Sequence, residues 1–97
     1  MRTEATRRAI NGASVIEIVR RAEVAGTIRL SDHARKRMKE RGVRAGDISK
    51  AIWTVQSAKR QESDKNWRLK GGVDTDGDDL MIVIDLDQDP IVLVTLM

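Results

Sequence analysis

LMIVIDLDQDPIVLVTL, residues 80–96, decides how this chain folds. Two apolar runs, 80–84 and 91–96, flank the turn residues Asp87-Gln88-Asp89-Pro90. Each run is too short for a stable helix and rich in β-branched side chains, so each reads as a strand. Neither alternates with polar residues, which predicts strands covered on both faces at the centre of a sheet. The short turn between them makes them antiparallel neighbours.

Working upstream, Asp76-Gly77 is a hairpin-turn pair. It joins the first apolar strand to NWRLKGG at 66–72, and AKRQES at 58–63 reads as a further, exposed strand. Before residue 58 the period changes from two to that of a helix. Ser14-Val15-Ile16-Glu17 has the form of a capping box, and Val15, Ile18, Val19 and Ala22 share one face, predicting a first helix over 14–25 that Gly26 ends. Thr27–Leu30 is a short extended link. Ser31 or Asp32 starts a second helix, which runs to Arg41 and stops at Gly42. A third spans 45–55, burying Ile48, Ala51, Ile52 and Val55, with Trp53 partly in the core. The expectation is an α+β domain over 14–97, with N-terminal helices packed on a three- to four-stranded antiparallel sheet, preceded by a polar arm over 1–13.

Composition narrows the function. The chain has 97 residues, 2% of them aromatic and none of them Cys or Tyr. Disulfides, thiol nucleophiles and cysteine-held zinc are excluded, and a row of stacked aromatics for nucleic acid is not available. The polar N-terminus does not read as a signal peptide, and no apolar run approaches the ~20 residues of a membrane span, so the expected location is cytoplasmic. All 18 Lys and Arg lie in residues 1–70, against eight acids, while 71–97 carries seven Asp and no base. The basic part suits RNA, DNA or an acidic protein, on one face only.

The only histidine falls in LSDHARKRMKERG, residues 30–42. His33, Arg37 and Arg41 are four apart and form one helical stripe, beside the apolar pair Ala34 and Met38. A histidine titrates near neutral pH and moves protons, and arginines fork onto phosphate oxygens. A solvated basic helix would carry the same residues. Lys65, Arg68 and Lys70 bracket Trp67, which either stacks a base or covers the sheet. Thr95 is either a strand former or a hydroxyl offered to a site. DTDGDD at 74–79 lacks the Gly and Glu positions of a calcium loop and reads as a hairpin turn; no metal or other cofactor is expected.

The pattern His33-Ala34, Arg37-Met38, Arg41-Gly42-Val43, closing on a strand with Val94-Thr95, resembles a family of small bacterial proteins of unassigned function over about residues 28–97. That family is similar in layout to the RelE-like ribonuclease toxins of toxin–antitoxin modules and, more loosely, to their MqsR branch. The resemblance implies the barnase–EndoU–RelE-like layout and metal-independent endonuclease cleavage of RNA, often of mRNA on the ribosome, with an antitoxin protein as partner. It implies His33 as the acid–base group, Arg37 and Arg41 as phosphate clamps, and Lys65, Trp67, Arg68 and Lys70 as further RNA contacts. A non-catalytic RNA- or protein-binding module of the same fold is the alternative. Two features depart from the family: Arg44 stands where the third helix often has a Ser or Thr cap, and the tyrosine of many RelE-like sites is missing.

Overall fold

The structure, a computed structural model, describes residues 11–97; the first ten residues of the expected arm lie outside the described residues. Helix α1 (Gly12–Ala25) starts two residues earlier than the Ser14 cap predicted. Asn11 is the cap instead, its side-chain oxygen accepting from the Ser14 N–H at 2.9 Å. A Cβ at Gly12 would stand 2.6 Å from the Ala58 carbonyl oxygen, so glycine is what lets the first turn lie against a strand. Val15 and Val19 are buried, and Gly26, at φ 70°, closes the helix as expected.

The remaining elements are β1 (Arg29–Leu30), α2 (Asp32–Arg41), α3 (Ala45–Thr54), β2 (Ser57–Arg60), β3 (Trp67–Lys70), β4 (Ile82–Asp85) and β5 (Val92–Leu96). The sheet order is β1-β5-β4-β3-β2. Strands β2 to β5 form the antiparallel meander that the turn signals called for. The fifth strand is the supposed link: β1 pairs parallel with β5, Arg29 N–H bonding the Ile91 carbonyl at 3.0 Å and Ser31 N–H the Leu93 carbonyl at 3.1 Å. A two-residue strand has no hydrophobic period of its own, and its partner lies more than sixty residues away, so only the tertiary fold reveals it.

One face of the sheet carries the core. Leu69, Ile82, Ile84, Leu93 and Leu96 pack with Val15, Val19, Ala34, Ile48, Ala51 and Ile52 from the three helices. Each Val, Leu or Ile among them contributes up to about 1.5–3 kcal/mol by burial. Gly72 lets β3 run into its following loop close to α3, where a Cβ would sit 2.5 Å from the Ala51 carbonyl oxygen.

Asp47 does what Arg44 cannot do as a cap. Its Oδ2 accepts from the Arg44 N–H at 2.9 Å, while its Oδ1 accepts from the Thr75 N–H at 3.0 Å and the Thr75 hydroxyl at 2.6 Å. Thr75's hydroxyl and the two backbone amides hold the Asp47 carboxyl down to about 2. One buried carboxylate thus starts α3 and pins the acidic loop to it. Within that loop, Asp74 Oδ1 accepts from the N–H groups of Asp76 and Asp78, both at 2.9 Å. The acidic run is a turn folded around its own first carboxylate, and the hairpin reading is right.

Candidate functional site

The sheet's second face turns away from the helical core. Lys59, Arg68, Val83 and Thr95 are successive cross-strand partners on β2, β3, β4 and β5. Direct partners share a face, so these four form one row. The row alternates with half-buried Ala58 and buried Leu69 and Ile82, which is why a basic residue and an inward residue can be neighbours on β2 and β3. Val83 is only 4% exposed yet lies outside the core cluster. It stands, covered, between Arg68 and Thr95 in the row.

Helix α2 runs along the edge of β5, with Ala34 and Met38 turned to the core. Ser31 caps the helix, its hydroxyl oxygen accepting from the Ala34 N–H at 2.9 Å and its hydroxyl donating to the Val94 carbonyl at 2.6 Å. Six residues on, Arg37 Nε donates to the Leu96 carbonyl at 3.3 Å. Below β1, then, the edge carbonyls of β5 are satisfied by side chains of α2 rather than by another strand. The two ties fall on the residues either side of Thr95.

Ala34 is buried and Met38 half-buried against the core, as the stripe predicted. His33 is exposed, and its ring makes no hydrogen bond among the described residues. Arg37 is half-buried and divided between two tasks: Nε on β5, and Nη1 at 3.9 Å from Glu40 Oε1. A pair at that distance and exposure is worth little, so the outer edge of the guanidinium is open to a ligand. Arg41 is exposed, with no ion pair among the described residues. Thr95 is half-buried.

At the other end of the row is a hollow of about 180 Å³ between β2 and β3. Lys59, Arg60, Gln61, Arg68 and Lys70 line it, and no carboxylate does. Arg68 is half-buried, and its Nε is enclosed without a hydrogen-bond partner. An enclosed, unanswered donor costs about 1–3 kcal/mol. Among the described residues none of these four cations forms an ion pair.

The other predicted contacts divide. Lys70 shares the hollow with Arg68. Lys65 is exposed in the β2–β3 turn at φ 62° and does not line it. Trp67, half-buried, packs against the core cluster, on the face opposite Arg68 and Lys70. The sequence bracket around Trp67 is therefore opened by the pleat. Trp53 is 50% exposed instead of partly in the core, its Nε1 donating to Glu23 Oε1 at 2.7 Å. The Arg20 guanidinium stands 5.3 Å over that ring and donates to the carbonyls of Ile52, Trp53 and Val55, so it ties α1 to the end of α3. The sequence does not single out Lys59, although it occupies the outward phase of AKRQES, nor the tie to Val94 that Ser31 makes besides its cap.

Among the described residues no group of three or more His, Asp or Glu is placed to hold a metal ion. None of the described helices is long and apolar enough to cross a membrane. No curated protein and no solved structure matches the chain significantly. A family model does match, described as DUF4258, a domain of unknown function, and it covers residues 30–97. That span takes in the second residue of β1, α2, α3 and every later strand, and so the whole row and both ties around Thr95. The chain belongs to the DUF4258 family.

Proposed function

We propose that the domain is a metal-independent endoribonuclease of the RelE-like kind, cleaving RNA laid across the sheet's second face beside β5. The observation that carries the reading is the pair of ties around Thr95. They fix the His33–Arg37–Arg41 helix against the strand whose outward face leads, through Val83, to Arg68 and Lys59. On this reading the two motifs, far apart in sequence, serve one RNA.

The chemistry follows from the side chains. A ribose 2′-OH attacks the adjacent phosphorus, and the P–O5′ bond breaks. His33, neutral, takes the 2′-OH proton while water protonates the departing 5′-oxygen, or, charged, protonates that oxygen while water takes the 2′-OH proton. The outer edge of Arg37 and the whole of Arg41 neutralise the charge gathering on the phosphate oxygens. The products carry a 2′,3′-cyclic phosphate and a 5′-hydroxyl. A ribonuclease of this kind would act as the toxin of a toxin–antitoxin module, on mRNA free or on the ribosome, and an antitoxin protein would restrain it.

The test is incubation of the purified protein with single-stranded RNA in EDTA. The expected result is fragments with cyclic-phosphate ends, about 10²–10⁴-fold slower for His33→Ala. Expression of the wild type should arrest growth, and the variant should not. RNA left intact, together with harmless expression, sinks the proposal. A second reading, a binding module without catalysis, is favoured by the commitment of Arg37 Nε to the Leu96 carbonyl. It predicts RNA that is retained but not cut.

A further inference from the structure

We infer that the β2–β3 hollow is a phosphate subsite separate from the cleavage centre, holding one backbone phosphate of the RNA without regard to base. The inference rests on the RNA-directed reading above for the source of the phosphate, but on its own geometry for the phosphate itself. Four cations and one amide line a hollow free of carboxylate. The enclosed Arg68 Nε has a donor to give and nothing to receive it. A guanidinium in that state is matched by a tetrahedral oxyanion, which accepts from Nε and an η nitrogen together. Lys59 stands opposite Arg68 on β2, and Lys70 two residues along β3, so charge reaches the same point from three side chains.

Position separates this site from the α2–β5 centre. Arg68 is two strands from Thr95 in the row, and strand spacing of about 4.8 Å puts them about 10 Å apart at the backbone. One phosphate cannot touch both. The subsite holds a phosphate flanking the one that is cut, and a substrate must be long enough to span the interval. Base identity is not read there. The only aromatic residues, Trp53 and Trp67, lie on the end of α3 and against the core, which leaves no ring beside the hollow to stack on a base.

Binding of fluorescent oligoribonucleotides by anisotropy tests this. Wild type should bind ten-nucleotide oligo(A) and oligo(U) within about threefold of each other, since charge carries no sequence information. Arg68→Met should weaken both about tenfold and flatten the slope of log affinity against log salt by about 0.7, one contact's share on a single strand. Arg68→Lys should recover only part, because it restores charge and not the fork. Lys70→Met, at an exposed side chain with no structural bond, should weaken binding in the same direction and guards against misfolding as the cause. Lys36→Met, on the outer side of α2, should bind as wild type does. Inorganic phosphate, titrated alone, should bind far more weakly than RNA and at the same residues. Phosphate that binds as tightly as the oligomer makes this a small-anion site and overturns the RNA assignment. Unchanged affinity in Arg68→Met or Lys70→Met overturns the subsite itself. If these variants lose RNA while the wild type cuts none, the subsite stands and the ribonuclease reading falls.

Discussion

The two faces of the sheet obey different rules. On the helix side Leu69, Ile84, Leu93 and Leu96 have no exposed surface and are enclosed by three helices. On the other side a row of the same length runs Lys59, Arg68, Val83, Thr95, and the guanidinium at its centre has an unanswered donor. One face holds the fold together, and the other is left with unmet charge and hydrogen-bonding capacity. Strands β2 and β3 must hold this alternation, because a shift of one residue there would exchange core for charge; β4 and β5 carry apolar residues on both faces and tolerate a register shift between Val83 and Ile84.

Substitutions should separate the faces by size of effect. The largest loss is expected at the closed face, where Leu93→Ala should cost about 2–5 kcal/mol in denaturant unfolding. A cost comparable with that of Thr95→Val, its β5 neighbour on the open row, would break the comparison. Gly72→Ala should come next, at about 1–3 kcal/mol, since the new methyl meets the rigid Ala51 backbone. Ser31→Ala removes both a cap and the tie to Val94, and should cost about 1–2 kcal/mol while moving α2 relative to β5. Amide hydrogen exchange in α2 would report that movement. Thr95→Val keeps the strand shape and should leave stability within about 0.5 kcal/mol of wild type, with any effect confined to RNA cleavage.

Asp47 adds a prediction in pH. Its carboxyl titrates near 2 in the folded chain, against 3.8 ordinarily, because Thr75 and Arg44 hydrogen-bond its charged form. The unfolded chain therefore takes up this proton first as acid is added. The contribution is whole above about pH 5 and disappears as pH falls through about 4 to 2. Asp47→Asn should be less stable at neutral pH and lose less between those limits. Parallel acid limbs for the two proteins would rule out the carboxylate as the clasp between α3 and the acidic loop.

The comparison also shows which parts of the reading were local. The ends of α1 and α2 were legible because Gly26 and Gly42 adopt left-handed φ, which glycine tolerates best. The start of α1 was not. Both Ser14 and Asn11 are sound caps, and the choice fell to Asn11, with Gly12 free of a Cβ that the Ala58 backbone would not admit. Trp67 shows the same limit in a strand. Its basic neighbours in sequence suggested a single binding cluster, but the pleat sends Trp67 inward with Leu69 and Arg68 outward with Lys70. Within the His33 stripe only Arg37 is half-buried, His33 and Arg41 being exposed, and the part of Arg37 given to Leu96 depends on a strand almost sixty residues later.

By itself the sequence determined the type of every element but β1, the apolar β4–β5 centre, the hairpin turn at Asp76-Gly77 and the core-facing pair Ala34 and Met38, because period, turn chemistry and capping act over a few residues. Only the tertiary structure decided that the link at Arg29–Leu30 is a strand, that Asp47 clasps Thr75, and that Lys59 and Arg68 stand in line with Thr95. Those facts depend on register between distant segments. Register is set by how the whole chain buries its aliphatic face, and no short stretch contains it.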